Sequence, residues 1–469
     1  DLLRYYWQYP DIISNTKMIL EHCSVNLDLG TPKNKQSFAG NQEKDHYILR
    51  SKALEGFQSR YQEYDSYAMS RLLKELEVIA DRKFEAYFLI ALDIIEFSQR
   101  RGFAHVGRGS GANSMVAYCL GITDVDPIEL DLYFERFLNP YRSSPPDFDI
   151  DFSWKDRDEV TSYILNKYPG HSALLATYTT FQGRSIIREL GKVFGLPKSE
   201  IDEIIDHPLQ NKDRDKITRL IFSYADRLHD MPRNLSIHAG GIVISEKPIT
   251  AYTALELPPK GFPITQFDMI SAEDLGLHKF DILSQRGLGH IKDSVEIIAR
   301  NKGVEADISD FTKIKEDPKV NELLQRGKAM GCFYIESPAM RMLLGKLHCN
   351  DYLTLVAASS IIRPGVARSG MMREYIYRHL NPGDHDYIHP KMQELMKETY
   401  GIMVYQEDVI KVAHHFAGLD LAEADILRRG MSGKFRSRKE FQKVEEKFFS
   451  NCRDRGYPDE ISKEVWRQI

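Results

Sequence analysis

The chain has little cysteine, no long uncharged run and no excess of positive charge, and each shortage excludes something. Five cysteines in 469 residues, Cys23, Cys119, Cys332, Cys349 and Cys452, are odd in number and far apart and form no C-x-x-C pair. Neither a disulfide framework nor a zinc site is indicated, and the thiols read as reduced core residues. The longer charge-free stretches, such as Leu353 to Ile362, fall well short of the roughly 18 apolar residues that cross a bilayer, so no membrane span is expected. No initiator Met, basic leader or signal-type apolar core opens the chain, which therefore reads as cytoplasmic. Its end, Ile461 to Ile469, reads as an amphipathic helix without a stop signal, as in a fragment of something longer. With 63 Lys and Arg against 68 Asp and Glu, the net charge of −5 argues weakly against a nucleic-acid partner, although local clusters matter more than the total.

What is present is a globular composition, 42% hydrophobic, sufficient for about two to four domains. Two basic clusters stand out. One is Arg428-Arg429-Gly-Met-Ser-Gly-Lys434-Phe-Arg436-Ser-Arg438-Lys439, with six cations and no acid. The other is Arg100-Arg101 with Arg108. Apolar positions recur at helical spacing from Asp65 to Gln99, with Phe88, Leu92 and Ile95 on one face and Gly102 as a stop. A tight glycine-rich loop, 105–113, and a helix over Ser114 to Leu120 follow. Residues 143–153 alternate acid and apolar as a half-buried strand does. Residues 156–230 read as a helical insertion that includes helices at Ser185 to Phe194 and Lys216 to His229. Strand signals resume at Gly241 to Ser245 and at Leu277 to Leu283, and the chain is mostly helical from Gly289 onward. The architecture expected is α+β and mostly helical: a mixed-sheet domain interrupted by helices, then a large helical domain.

The chemistry concentrates in three places. In Asp147-Phe-Asp149-Ile-Asp151 the acids share one strand face, and such mutual repulsion calls for a cation. Oxygen ligands of this kind suit Mg²⁺, which takes one or two carboxylates together with substrate phosphates. An EF-hand calcium loop is excluded, because Phe152 stands where that loop needs Gly and Asp158 where it needs Glu. A solvated acidic strand edge is the bland alternative. The loop Gly107-Arg-Gly109-Ser110-Gly111-Ala-Asn113, some 37 residues earlier, offers backbone N–H groups and the start of a helix to a phosphate, without P-loop or dinucleotide-fold spacing. A plain glycine-rich turn is its alternative. In Lys279-Phe-Asp281 the strand period puts a cation and an anion on one face, as either a phosphate and metal pair or a salt bridge.

The chain resembles C-family bacterial DNA polymerases. The resemblance is carried, in order, by Val106 to Asn113, Phe134-Glu-Arg-Phe-Leu-Asn-Pro140, Pro146 to Phe152, His238-Ala-Gly-Gly-Ile-Val243, Lys279-Phe-Asp281, Arg363-Pro-Gly365 and Tyr405-Gln-Glu407. It implies a polymerase-beta-like nucleotidyltransferase palm over 1–180 and 237–285, a helical thumb inserted over 181–236, and fingers over 286–469. It implies metal-binding catalytic acids at Asp147, Asp149 and Asp281, with Asp151 the weaker candidate. Nucleotide contacts fall at Gly109, Ser110, Arg136, Lys279 and Arg363, with Gln406 and Arg428-Arg429 near nucleotide or template. The implied activity is template-directed addition of dNTPs to a primer 3′-hydroxyl with two Mg²⁺ ions. The implied partners are primer–template DNA, dNTPs, and a sliding clamp and replisome subunits engaged through regions outside this chain. Phe333-Tyr-Ile-Glu-Ser337, Arg363-Pro-Gly-Val366 and Gly430-Met-Ser-Gly-Lys434 depart from the family's usual forms and leave the replicative and error-prone branches both open. A metal-dependent nuclease and an inert DNA-binding scaffold are the competing functions.

Overall fold

The computed structural model describes every residue except 25–27, 62, 64, 140–143, 212–214, 309, 364–369 and 432–437. Pro140, Pro364, Gly365, Lys434 and Arg436 of the motifs above therefore lie outside the described residues. Most described residues are helical, and no described helix is long and apolar enough to cross a membrane. The strands are β1 (His105–Arg108), β2 (Asp149–Ser153), β3 (Ser172–Thr180), β4 (Pro232–Ile244), β5 (Leu255–Glu256), β6 (Ile264–Thr265) and β7 (Lys279–Gln285). The chain divides into two compact units, Asp1–Lys35 with Tyr168–Lys279, and Gln36–Lys167 with Phe280–Ile469.

In the first unit β3 pairs antiparallel with β4 and parallel with β6, which in turn pairs antiparallel with β5. β3 is a correction, since 156–230 was expected to be helical throughout. Ala173, Leu174, Leu175 and Ala176 are all buried, and a strand buried on both faces shows no alternation. Helices Gly183–Val193, Lys198–Asp206 and Lys216–Leu228 pack on a core of Ile187, Ile201, Ile204, Ile205 and Ile221.

In the second unit β2 is flanked by antiparallel β1 and parallel β7. Phe148, Ile150 and Phe152 are all buried to 1% exposure or less, and Phe148 meets Phe88 edge-on with ring centroids 5.0 Å apart. This apolar face turns Asp149 and Asp151 to the opposite side, as the alternation requires. Helix Glu85–Arg100 places Phe88, Leu92 and Ile95 in the core and ends before Gly102, whose φ is +69°. From Arg286 on the described residues are mostly helical, around one core that includes Met340, Leu344, Ala358 and Ile361 and another that includes Ile410, Phe416, Leu427 and Phe448. All five cysteines are free thiols, but only Cys119, Cys349 and Cys452 are buried; Cys23 and Cys332 are exposed, against the expectation of five core residues.

Candidate active site

Parallel pairing of β2 with β7 sets Asp149 opposite Asp281, and Asp147 precedes β2 by two residues. Asp147, Asp149 and Asp281 each present a carboxylate oxygen within 4.8 Å of the others. Asp281 is buried at 7% exposure, the other two half-buried. Three carboxylates this close, offering only oxygen, have the donor chemistry of a hard divalent cation. The strand was expected to begin at 143, but pairing begins only at Asp149. Asp151 is outside the trio. Both its oxygens accept from Arg108 Nε, at 3.1 and 3.0 Å, and Oδ2 accepts from Gln285 Nε2 at 2.9 Å.

The loop beside the trio is a strand followed by a 3₁₀ turn, Gly109–Asn113, where a loop between two helices was expected. Gly109 has φ +72°, and a Cβ there would stand 2.5 Å from Asp149 Oδ2. Only glycine lets the backbone approach a carboxylate so closely. A Cβ on Gly107 would stand 1.9 Å from the Ile122 carbonyl oxygen. The helix after the loop is only Met115–Cys119, and its first turn is already occupied by a carboxylate of the protein. Glu75, 1% exposed, fills that position: its Oε2 accepts from Ser114 Oγ at 2.9 Å and from the Val116 N–H at 3.1 Å. Arg71, half-buried, donates to Glu75 Oε1 at 3.1 Å and to the Asn113 carbonyl at 2.8 Å, so one ion pair grips the loop's exit. Burial pushes the Glu75 carboxyl above the usual range, opposed by Arg71 and the backbone hydrogen bonds. This pair was missed in the sequence. Its signal was a carboxylate on the apolar stripe of Leu72, Leu76 and Ile79.

Lys279 opens β7, and its stem lies over Gly241, where a Cβ would stand 3.0 Å from Lys279 Cδ. The glycine of the His238 motif thus makes room for the lysine. Arg136 pairs with Glu407 and donates to Gln406 Oε1 at 3.2 Å. Gln406 also accepts from Arg428 at 3.0 Å. Arg428 and Arg429 both pair with buried Asp425, at 2.7 and 3.0 Å. Arg363 is exposed. The second basic cluster is neutralised: Arg100 pairs with Glu96, Arg101 with Glu159, and Arg108 with Asp149 and Asp151. Burial disfavours the Arg108 cation, but Asp149 first, then Asp151 and Asp281, hold its pKa above the ordinary value.

A family model described as the bacterial DNA polymerase III alpha NTPase domain matches residues 47–284, and one described as the bacterial DNA polymerase III alpha subunit finger domain matches 287–456. The chain belongs to the bacterial DNA polymerase III alpha family. Among its relatives, an error-prone DNA polymerase of Symbiobacterium thermophilum is 34% identical over 100% of this chain and 44% of its own length. The DNA polymerase III subunit alpha of Bacillus subtilis is 34% identical over 99% of this chain and 43% of its own. That of Aquifex aeolicus is 35% identical over 85% and 38%. The chain spans less than half the length of these relatives.

Proposed function

We propose that this chain carries the polymerising site of a bacterial DNA polymerase, transferring a nucleotidyl group from a dNTP to a primer 3′-hydroxyl on a DNA template, in cytoplasmic replication or damage-tolerant synthesis. The observation that carries the reading is the convergence of Asp147, Asp149 and Asp281 within 4.8 Å. These three would hold two Mg²⁺ ions, which when bound stabilise charge on the attacking and leaving oxygens of an in-line displacement. Asp281, the most buried of the trio, is assigned to the end that receives the primer hydroxyl. Gly109 and Ser110 are assigned to the triphosphate through their backbone. Lys279, Arg136 and Arg363 supply cations to it, and Arg136 exchanges Glu407 for phosphate to do so. Such donors contribute roughly 3–4 kcal/mol each to transition-state stabilisation in well-studied sites. The palm is assigned to 1–180 and 237–285, the thumb to 181–236 and the fingers to 286–469. DNA and dNTPs are the substrates, and a sliding clamp and other replisome subunits are partners of the longer protein.

Primer extension on a labelled template with dNTPs and Mg²⁺ tests the reading. Longer primers support it, shortened strands indicate a nuclease, and binding without either indicates a scaffold. Asp149→Asn is expected to leave less than about a tenth of wild-type turnover, given the several kcal/mol such ions supply, with DNA affinity near wild type. Greater residual turnover counts against the metal role.

A further inference from the structure

The converging trio leaves one acid and one cation of the same sheet face without a role. Asp151 is buried at 4% exposure and is not among the residues whose oxygens converge. It accepts instead from Arg108 Nε at 3.1 and 3.0 Å and from Gln285 Nε2 at 2.9 Å. So held, the Arg108 guanidinium places Nη1 3.4 Å from Asp149 Oδ2, an oxygen of the trio. Strand register supports the arrangement: Arg108 is paired with Asp149 across β1 and β2, and Gln285 lies two residues beyond the residue opposite Asp151 on β7.

We propose that Arg108 is a positioning residue that competes with divalent cations for Asp149, and that Asp151, itself fixed by Gln285, restrains the guanidinium and so sets the affinity with which the site takes up metal. The proposal rests on the reading of the trio as a metal site. A guanidinium stays charged at any ordinary pH, so deprotonation cannot relieve the competition. It is relieved only by how firmly a second carboxylate holds the arginine. With Asp151 charged, the guanidinium is shared between two acids and Asp149 is partly available to a metal. Without that charge Asp149 becomes the arginine's main partner. Asp151 thus favours metal binding without being a ligand.

The two groups must therefore act in opposite directions, which general damage to the site does not produce. The probe is Mn²⁺ alone, titrated into the full 469-residue chain without DNA or nucleotide, with free Mn²⁺ read by electron paramagnetic resonance. Arg108→Gln is expected to tighten Mn²⁺ binding about threefold to fivefold, the scale of a partly exposed ion pair, and Asp151→Asn to weaken it by a similar factor. Arg108→Lys should return the affinity toward wild type. Near-UV circular dichroism verifies that each variant is folded. If Asp149→Asn abolishes Mn²⁺ binding while Arg108→Gln and Asp151→Asn leave it unchanged or both weaken it, the proposal is overturned and the metal site stands. If wild type binds Mn²⁺ no better than Asp149→Asn, the metal reading fails and the proposal with it.

Discussion

At the scale of single residues, the two glycines flanking Arg108 do different things. Gly107 is packed against the Ile122 backbone, where an added Cβ would meet the carbonyl oxygen at 1.9 Å, and Thr123 Oγ1 donates to the Gly107 carbonyl at 3.0 Å. Gly109 combines φ +72° with a side-chain neighbour, Asp149 Oδ2, at 2.5 Å. A carboxylate can turn away, whereas a backbone carbonyl cannot. Gly109→Ala should therefore fold, at a cost of about 1–2 kcal/mol for the left-handed backbone, and lose most Mn²⁺ affinity because Asp149 is displaced. Gly107→Ala should lose stability severely. Thermal unfolding together with Mn²⁺ titration separates the two; equal loss of stability in both variants would refute the distinction.

At the scale of elements, what could be read in advance followed from periodicity, and what could not followed from burial on two faces or from distant partners. The acidic strand was legible because Phe148, Ile150 and Phe152 alternate with Asp147, Asp149 and Asp151. β3 was not, because its apolar run has no polar face. The role of Asp151 was hidden because Gln285, which fixes it, lies 134 residues away in sequence. Asp408 is a different case, a buried acid in helix Gln406–Lys411 with local partners: its Oδ2 accepts the Val404 and Tyr405 N–H groups at 2.8 Å. Burial raises its pKa to about 7, against the hydrogen bonds that lower it. A carboxyl whose pKa is higher folded than unfolded stabilises the fold below its unfolded pKa, and that contribution is lost as pH rises through the folded value. Between about pH 4 and 7 the wild-type chain should lose stability that Asp408→Asn, uncharged and still able to accept both hydrogen bonds, retains. Unfolding temperatures at about pH 5 and about pH 8, on either side of the folded value, should differ more in wild type than in the variant, and equal differences would show that Asp408 does not titrate in this window.

At the scale of the whole molecule, 63 cations cannot outweigh 68 acids, so any grip on DNA phosphates must come from cations not already committed to carboxylates. Arg428 and Arg429 belonged by sequence to the strongest basic run, yet the fold gives both to Asp425, which is 1% exposed and also accepts from Asn139 at 3.3 Å. Lys439, in helix Arg438–Asp454, is exposed, while Arg436 and the Arg438 side chain lie outside the described residues. Of the described residues of the run, Arg428 and Arg429 anchor a buried acid, while Lys439 is exposed. Replacing Arg436, Arg438 and Lys439 together should flatten the dependence of log DNA affinity on log salt by roughly 0.9 for each duplex phosphate no longer neutralised, with unfolding temperature nearly unchanged. Replacing Arg428 and Arg429 by Ala should do the reverse, because Asp425 would keep its buried charge without either counter-ion. Breaking a buried pair costs about 3–5 kcal/mol, enough to lower the unfolding temperature by several degrees, while the salt slope stays near wild type. If the Arg428 and Arg429 variant instead keeps its stability and loses salt dependence, those two arginines face DNA, and their role as anchors of Asp425 is wrong.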